Sequence, residues 1–220
     1  EEEERGSTGL AELGVDTDSP FVCFHSRDSA YLESIFADRD FSFHDYRDSS
    51  IQNYLPAAQE LAARGYSCLR MGSVVEGPIS CDDPRVIDYA RTGRSDFLDI
   101  YLGAKCSFFI CSNTGLHFVP LVFRRPIVLV NFIPLQSSWF WMPGRIVVPK
   151  KLWLSRERRF LTFSEALLAE AGYFASHAIL HHGLQYARNG IEVIENTAGE
   201  ITAAALEMDG RLKGTWQTTE

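Results

Sequence analysis

A chain of 220 residues has room for one domain, or two small ones, with a sizeable core. Its 45% hydrophobic and 23% charged residues are ordinary for a soluble globular protein. The formal charge of −8 argues against broad binding to nucleic acid, yet leaves room for a local basic pocket that takes a phosphorylated ligand.

The first residues, Glu1 to Asp18, are rich in Glu, Gly, Thr and Asp and show little periodicity; residues 1–19 read as an acidic tail or linker, ended by Pro20. Phe21 to His25 is an apolar run that predicts the first strand, followed by Ser26-Arg27-Asp28-Ser29 and a helical turn over 31–36. Residues 37–49 have no period and read as a loop. Ser50 and its neighbours can cap a helix from Ile51 to Arg64, whose apolar residues fall at three- and four-residue steps, with Gly65 as its C-terminal stop. Tyr66 to Met71 predicts the second strand. A loop follows, then a short helix from Pro84 to Ala90, and another from Asp96 to Leu102 capped by Ser95 and closed by Gly103.

The central stretch comes next. Ser107 to Cys111 is a buried strand by pattern, Ser112-Asn113-Thr114-Gly115 a small polar turn, Leu116 to Phe123 a short helix stopped by Pro126, and Ile127 to Phe132 a second buried strand. Strand, turn, helix, strand is a βαβ unit, so the two strands are expected to be parallel. Further on, 133–144 is an aromatic loop, Arg145 to Val148 a short strand, Phe163 to Ala171 a helix, 173–188 ambiguous, and Gly190 to Ile194 a strand. Asn196 or Thr197 caps a last helix that runs to about Leu212, with Glu200 spaced for a capping box if Thr197 is the cap, leaving 215–220 as a tail. Short alternation of strands and helices predicts an α/β fold with a mostly parallel sheet flanked by helices, and one globular domain over 20–214.

Five cysteines, an odd number with no close CxxC pair, predict free thiols, several of them buried, in a reducing compartment. No signal peptide is visible, and the most hydrophobic region, 118–135, is broken by Arg124, Arg125 and Pro126, so no transmembrane segment is expected. The first residue is not Met, and a piece of a longer protein is one expectation.

In a parallel sheet the three strand ends share one edge. That edge would present His25, Arg27 and Asp28 after the first strand, Arg70 and Gly72 after the second, and Ser112 to Gly115 after the third. Guanidinium groups grip phosphate with parallel hydrogen bonds, a helix start adds backbone donors, and Gly115 permits close approach. An electropositive pocket for a diphosphate is the expectation. Plainer readings stand beside it: Arg27 and Asp28 as a local ion pair, Arg70 tying down a loop through carbonyls, the SNTG turn as an ordinary cap, and His117 as a packed core histidine. There is no DxD motif at the end of a strong strand; Asp38-Arg39-Asp40 has the spacing but lies in a loop. No metal and no cofactor are expected. His177, His181 and His182 lack a third ligand and read as surface histidines, Arg156, Arg158 and Arg159 as a solvated basic face, and Trp139, Phe140 and Trp141 as rings for stacking or for packing on another domain.

Phe24-His25-Ser26-Arg27-Asp28 resembles the HxR motif after the first donor-domain strand of fucosyltransferase-like GT-B glycosyltransferases. An ordered series resembles a group of bacterial glycosyltransferases of surface-polysaccharide clusters: Arg27 to Leu32, Asp45 to Ile51, Gly65-Tyr66, Arg70 to Gly72, Ser95 to Asp99, Ser112 to Gly115, Pro149 to Lys151, and Asn196-Thr197 to Met208. The resemblance covers roughly residues 20 to 214. It implies a Rossmann-like donor domain of GT-B type, a nucleotide-diphosphate sugar as donor, and a glycan or other acceptor. It implies a cytoplasmic setting, free or at the inner face of the membrane. Carried over by position, Arg27 contacts the donor pyrophosphate, Ser112 to Gly115 hold phosphate or ribose, and Arg70 and Glu76 lie near the nucleotide or sugar. His25 or an acidic residue would serve as base, and Arg27→Ala is expected to weaken nucleotide binding greatly while leaving the fold intact. A two-domain enzyme of this type needs a second domain, so a missing or separate N-terminal acceptor domain is expected. The alternatives are a non-catalytic nucleotide- or partner-binding module, and another polysaccharide-modifying transferase such as a pyruvyl transferase.

Overall fold

The computed structural model describes residues 1–135, 143–174 and 182–218. Its framework is a six-stranded sheet in which every neighbouring pair is parallel. The strands are β1 (Phe21–His25), β2 (Ser67–Arg70), β3 (Val86–Ile87), β4 (Phe109–Cys111), β5 (Ile127–Phe132) and β6 (Arg145–Pro149), in the order β3-β2-β1-β4-β5-β6. This is the Rossmann-like arrangement, and its switch point falls between β1 and β4. The chain leaves β1 towards one side of the sheet and leaves β4 towards the other, which opens a crevice at the carboxyl ends of those two strands.

Both faces of the sheet are covered, and this explains the uninterrupted apolar runs. On one face Val22, Phe24, Cys68, Ile110, Val128 and Val130 pack beneath α3 (Leu55–Ala63) and α8 (Ala198–Leu212). On the other, Phe21, Cys23, Leu69, Phe109, Ile127 and Leu129 pack with α1 (Glu2–Glu12) and α4 (Asp96–Lys105). Among the described residues the remaining α-helices are α2 (Ala30–Ile35), α5 (Phe118–Val122), α6 (Phe163–Phe174) and α7 (His182–Arg188). A three-stranded antiparallel sheet, with order β8-β7-β9, is built from β7 (Lys151–Leu154), β8 (Arg159–Phe160) and β9 (Ile191–Ile194). It forms a third apolar cluster with Ile133, Leu135, Ala166 and Tyr186.

Several local expectations hold. Ser95 Oγ accepts from the Leu98 N–H at 3.2 Å. Thr197 Oγ1 accepts from the Glu200 N–H, while the Glu200 carboxylate accepts from the Thr197 N–H at 2.8 Å, which completes the capping box. All five cysteines are free and four are buried.

Others are corrected. Residues 2–12, read as part of a tail, form α1: Leu10 is buried, and Gly6 and Gly9 let the helix lie directly on Tyr101 and Leu98 of α4. The helix expected over 84–90 is replaced by β3, because Val86 and Ile87 pair with Cys68 and Leu69 and so extend the sheet. Gly103 does not end α4, which runs to Lys105; it lets Val119 and Pro120 pack close instead. The region read as a loop at 37–49 contains a 3₁₀ segment, Ser42–Arg47.

Candidate functional site

The sheet brings the segments after β1, β2 and β4 to one edge. Across the switch point the Arg27 N–H donates to Ser112 Oγ at 2.9 Å, tying the loop after β1 to the loop after β4. Ser26 is buried and its hydroxyl donates to the Ser49 carbonyl at 2.8 Å. Asp28 accepts from the Ala30 N–H at 3.2 Å and from the Glu76 N–H at 3.3 Å, so it fixes both the start of α2 and the loop after β2. Gly72 has φ +147°, a backbone state that side chains rarely adopt, and a Cβ there would lie 2.6 Å from Val75.

A cleft of about 520 Å³ opens on this edge. Of the residues expected at the site, His25, Arg27, Asp28, Gly72, Thr114 and Gly115 line it. Arg70 and Glu76 instead line a neighbouring cavity of about 490 Å³, together with Asp45, Asp48 and Glu195. Ser112 is fully buried below the cleft. The Asn113 amide donates to the Ile133 carbonyl at 3.3 Å, so this side chain holds the loop.

The charges are distributed unevenly. Arg27 forms an ion pair with Asp48, not with Asp28, and burial, followed by the nearby Arg47, lowers its pKa to about 10. Arg70 is 2% exposed and donates to the Gly77 carbonyl, with Asp88 at 3.4 Å; it braces the loop after β2. Arg94 bridges Asp96 at 2.9 Å and Asp99 at 2.7 Å. Arg47, on the 3₁₀ segment, also lines the cleft and donates to the Asn113 carbonyl at 2.7 Å. Sequence reasoning gave Arg47 no role, because residues 37–49 carry no periodicity that would place them on the sheet edge.

His25 has Nδ1 at 3.0 Å from the Met71 carbonyl. In the neutral ring that contact puts the proton on Nδ1 and leaves the lone pair on Nε2. Burial lowers its pKa, which keeps the imidazole neutral at pH 7.

The helix expected over 116–123 is shorter than its sequence suggested. It begins as a 3₁₀ turn, Gly115–His117, and leaves α5 only five residues, so little macrodipole develops there. Side chains dominate the electrostatics of the cleft. His117 is buried and stacks on Phe118 with ring centroids 4.2 Å apart. Asp40 accepts from the Ser42 N–H at 2.8 Å and starts the 3₁₀ segment. Arg156 and Arg159 are surface residues paired with Glu157, and Arg159 also pairs with Glu165. Trp139, Phe140, Trp141, His177 and His181 lie outside the described residues.

No protein-family model matches the chain, and no curated protein matches it. Among solved structures it is similar to the ADP-heptose LPS heptosyltransferase II of E. coli, with 14% identity and a TM-score of 0.43, covering 94% of this chain and 53% of that one. It is similar also to the wall teichoic acid polymerase TagF, with 10% identity and a TM-score of 0.44, covering 98% of this chain and 49% of that one. The chain thus spans about half the length of the solved structures it matches. At these distances neither assigns a role to any residue here.

Proposed function

We propose that this chain is the donor-binding half of a GT-B-type glycosyltransferase that uses a nucleotide-diphosphate sugar in bacterial surface-glycan synthesis. The observation that carries the reading is the cleft at the β1/β4 switch point, where three guanidiniums and a neutral histidine gather in a protein of net charge −8. Open α/β sheets bind ligands at such a crevice. The sequence resemblance supports this, since it implies a donor pyrophosphate at the same strand ends.

The chemistry follows from the charges. In glycosyl transfer the bond from the anomeric carbon to the diphosphate oxygen breaks, and the electron pair leaves with the diphosphate. Guanidiniums held at the edge stabilise that developing charge with no call on a metal. An acceptor hydroxyl forms the new bond and gives up its proton, and the unprotonated Nε2 of the neutral His25 is the candidate base for it. The acceptor domain is supplied by a second unit, within a longer protein or as a separate chain, in the cytoplasm or at the inner face of the membrane. A single Rossmann-like sheet favours a second reading for the chain in isolation, in which it binds the nucleotide without turning it over.

A thermal-shift screen against UDP, GDP, CDP, ADP and their sugars tests the proposal. One of these diphosphates is expected to raise the melting temperature, because it binds the folded state alone. No shift from any of them, both in this chain and in a longer chain carrying an acceptor domain, contradicts it.

A further inference from the structure

Three guanidiniums line the cleft, from Arg27, Arg47 and Arg94. Two are already neutralised, Arg27 by Asp48 and Arg94 by Asp96 and Asp99. Arg47 has no carboxylate partner among the described residues, and its hydrogen bond to the Asn113 carbonyl uses Nη2 alone. Its Nε is buried with no hydrogen-bond partner. Burial lowers its pKa, as expected of a charge taken from water without compensation.

An orphaned buried donor on a charged group is costly, and native structures seldom keep one without a use. Arg94 Nε and Thr114 Oγ1, on residues that line the same cleft, are also buried and unpartnered, but the Arg94 guanidinium already has its two carboxylates. Beside Thr114, Gly115 leaves open space, with no atom within 4 Å of where a Cβ would stand. At the start of β6, outside the cleft lining, Arg145 Nη2 is buried and unpartnered too. His117 senses both Arg145 and Arg47 as positive neighbours. The cleft therefore holds unused donors on Arg47 and Thr114, while its carboxylates Asp28 and Asp99 are engaged elsewhere, Asp28 by backbone N–H groups and Asp99 by Arg94.

We infer that Arg47 and the Thr114 hydroxyl form an anion-binding subsite of the cleft, which takes a phosphate group of the ligand and carries more of the anion affinity than Arg27 does. An anion at Arg27 must compete with the Asp48 carboxylate for the same guanidinium. An anion at Arg47 meets no such competitor and can use the free edge of the fork. The inference rests on the preceding reading only in taking the phosphate to belong to a nucleoside diphosphate.

Calorimetric titration of the whole chain with inorganic pyrophosphate, and with the nucleoside diphosphate that gives the largest thermal shift, is the test. Arg47→Gln is expected to weaken both by about ten- to a hundredfold, the worth of a charge-assisted hydrogen bond. Arg27→Gln and Thr114→Val should cost less. The ligand-free melting temperature of Arg47→Gln should hold or rise, since an uncompensated buried charge is gone. Wild-type affinity in Arg47→Gln overturns the inference. Should that variant fail to fold, Arg47→Lys decides: a folded Lys variant with weakened pyrophosphate affinity supports the subsite, and unchanged affinity overturns it. Pyrophosphate binding that needs Arg47, with no nucleoside diphosphate bound, retires the nucleotide reading and keeps the subsite. Nucleoside diphosphate binding indifferent to Arg47 does the reverse, and a wild-type chain that binds neither anion retires both.

Discussion

Asp48 is held from two directions. Its carboxylate pairs with Arg27, and its carbonyl accepts from Nζ of Lys150, the residue between β6 and β7. Lys150 is 6% exposed, and burial lowers its pKa to about 8, opposed by Glu195. The sign of the pH dependence follows. Between the folded value and the ordinary lysine value the unfolded chain binds more protons, so rising pH across that window favours the folded state. Relative to Lys150→Met, the wild type should gain up to about 3 kcal/mol between pH 7.5 and 10.5, measured by urea unfolding. A difference that stays flat over this range contradicts a buried, depressed Lys150. These residues also show what a sequence conceals. It places arginines at a strand end, but the carboxylate that neutralises each one arrives from a distant loop. Arg27 beside Asp28 reads as a local pair, yet Asp28 is occupied by backbone N–H groups and Asp48 takes the guanidinium. Arg47 was hidden for the same reason, since only the folded 3₁₀ segment carries it to the cleft.

Among the elements, the long buried strands and the capped helices were legible because their signals are local. Ile127 to Phe132 is apolar enough to be a strand in any context, and Thr197 with Glu200 states its own cap. Thr197→Ala should cost about 1 kcal/mol in urea unfolding by removing that cap; no loss would mean that α8 is held by packing alone. Elements fixed by tertiary contact were not legible. The pair Val86 and Ile87 is a strand because β2 offers an edge, and Lys151 to Leu154 is too short to announce its alternation. Helix α1 was hidden by its composition, since glycines and glutamates rarely mark a docked helix. Its glycines are the contact: a Cβ at Gly9 would lie 2.7 Å from the buried Leu98 side chain. Gly9→Ala should therefore destabilise by about 1–3 kcal/mol through overpacking, although alanine is the better helix former by up to about 1 kcal/mol. A neutral or stabilising result would show that α1 does not rest on α4.

For the whole molecule, the parallel sheet, its flanking helices and the shared strand edge follow from the alternation of elements in the sequence. The strand order and its switch point do not, because they depend on which edges pair. That order decides where a ligand can sit. It gathers Arg27, Arg47 and Arg94 around one cleft while the net charge of the chain is −8. It also separates this cleft from the cavity beside Arg70, where carboxylates collect. On the proposed function, a nucleoside diphosphate occupies the first cleft. Backbone amide NMR of the labelled chain, titrated with the diphosphate that gives the largest thermal shift, tests this most directly. The perturbed amides are expected to concentrate at Ser26 to Asp28, at Arg47, and at Asn113 to Leu116. Perturbations centred on Arg70, Glu76 and Glu195, or none at saturating ligand, would contradict it.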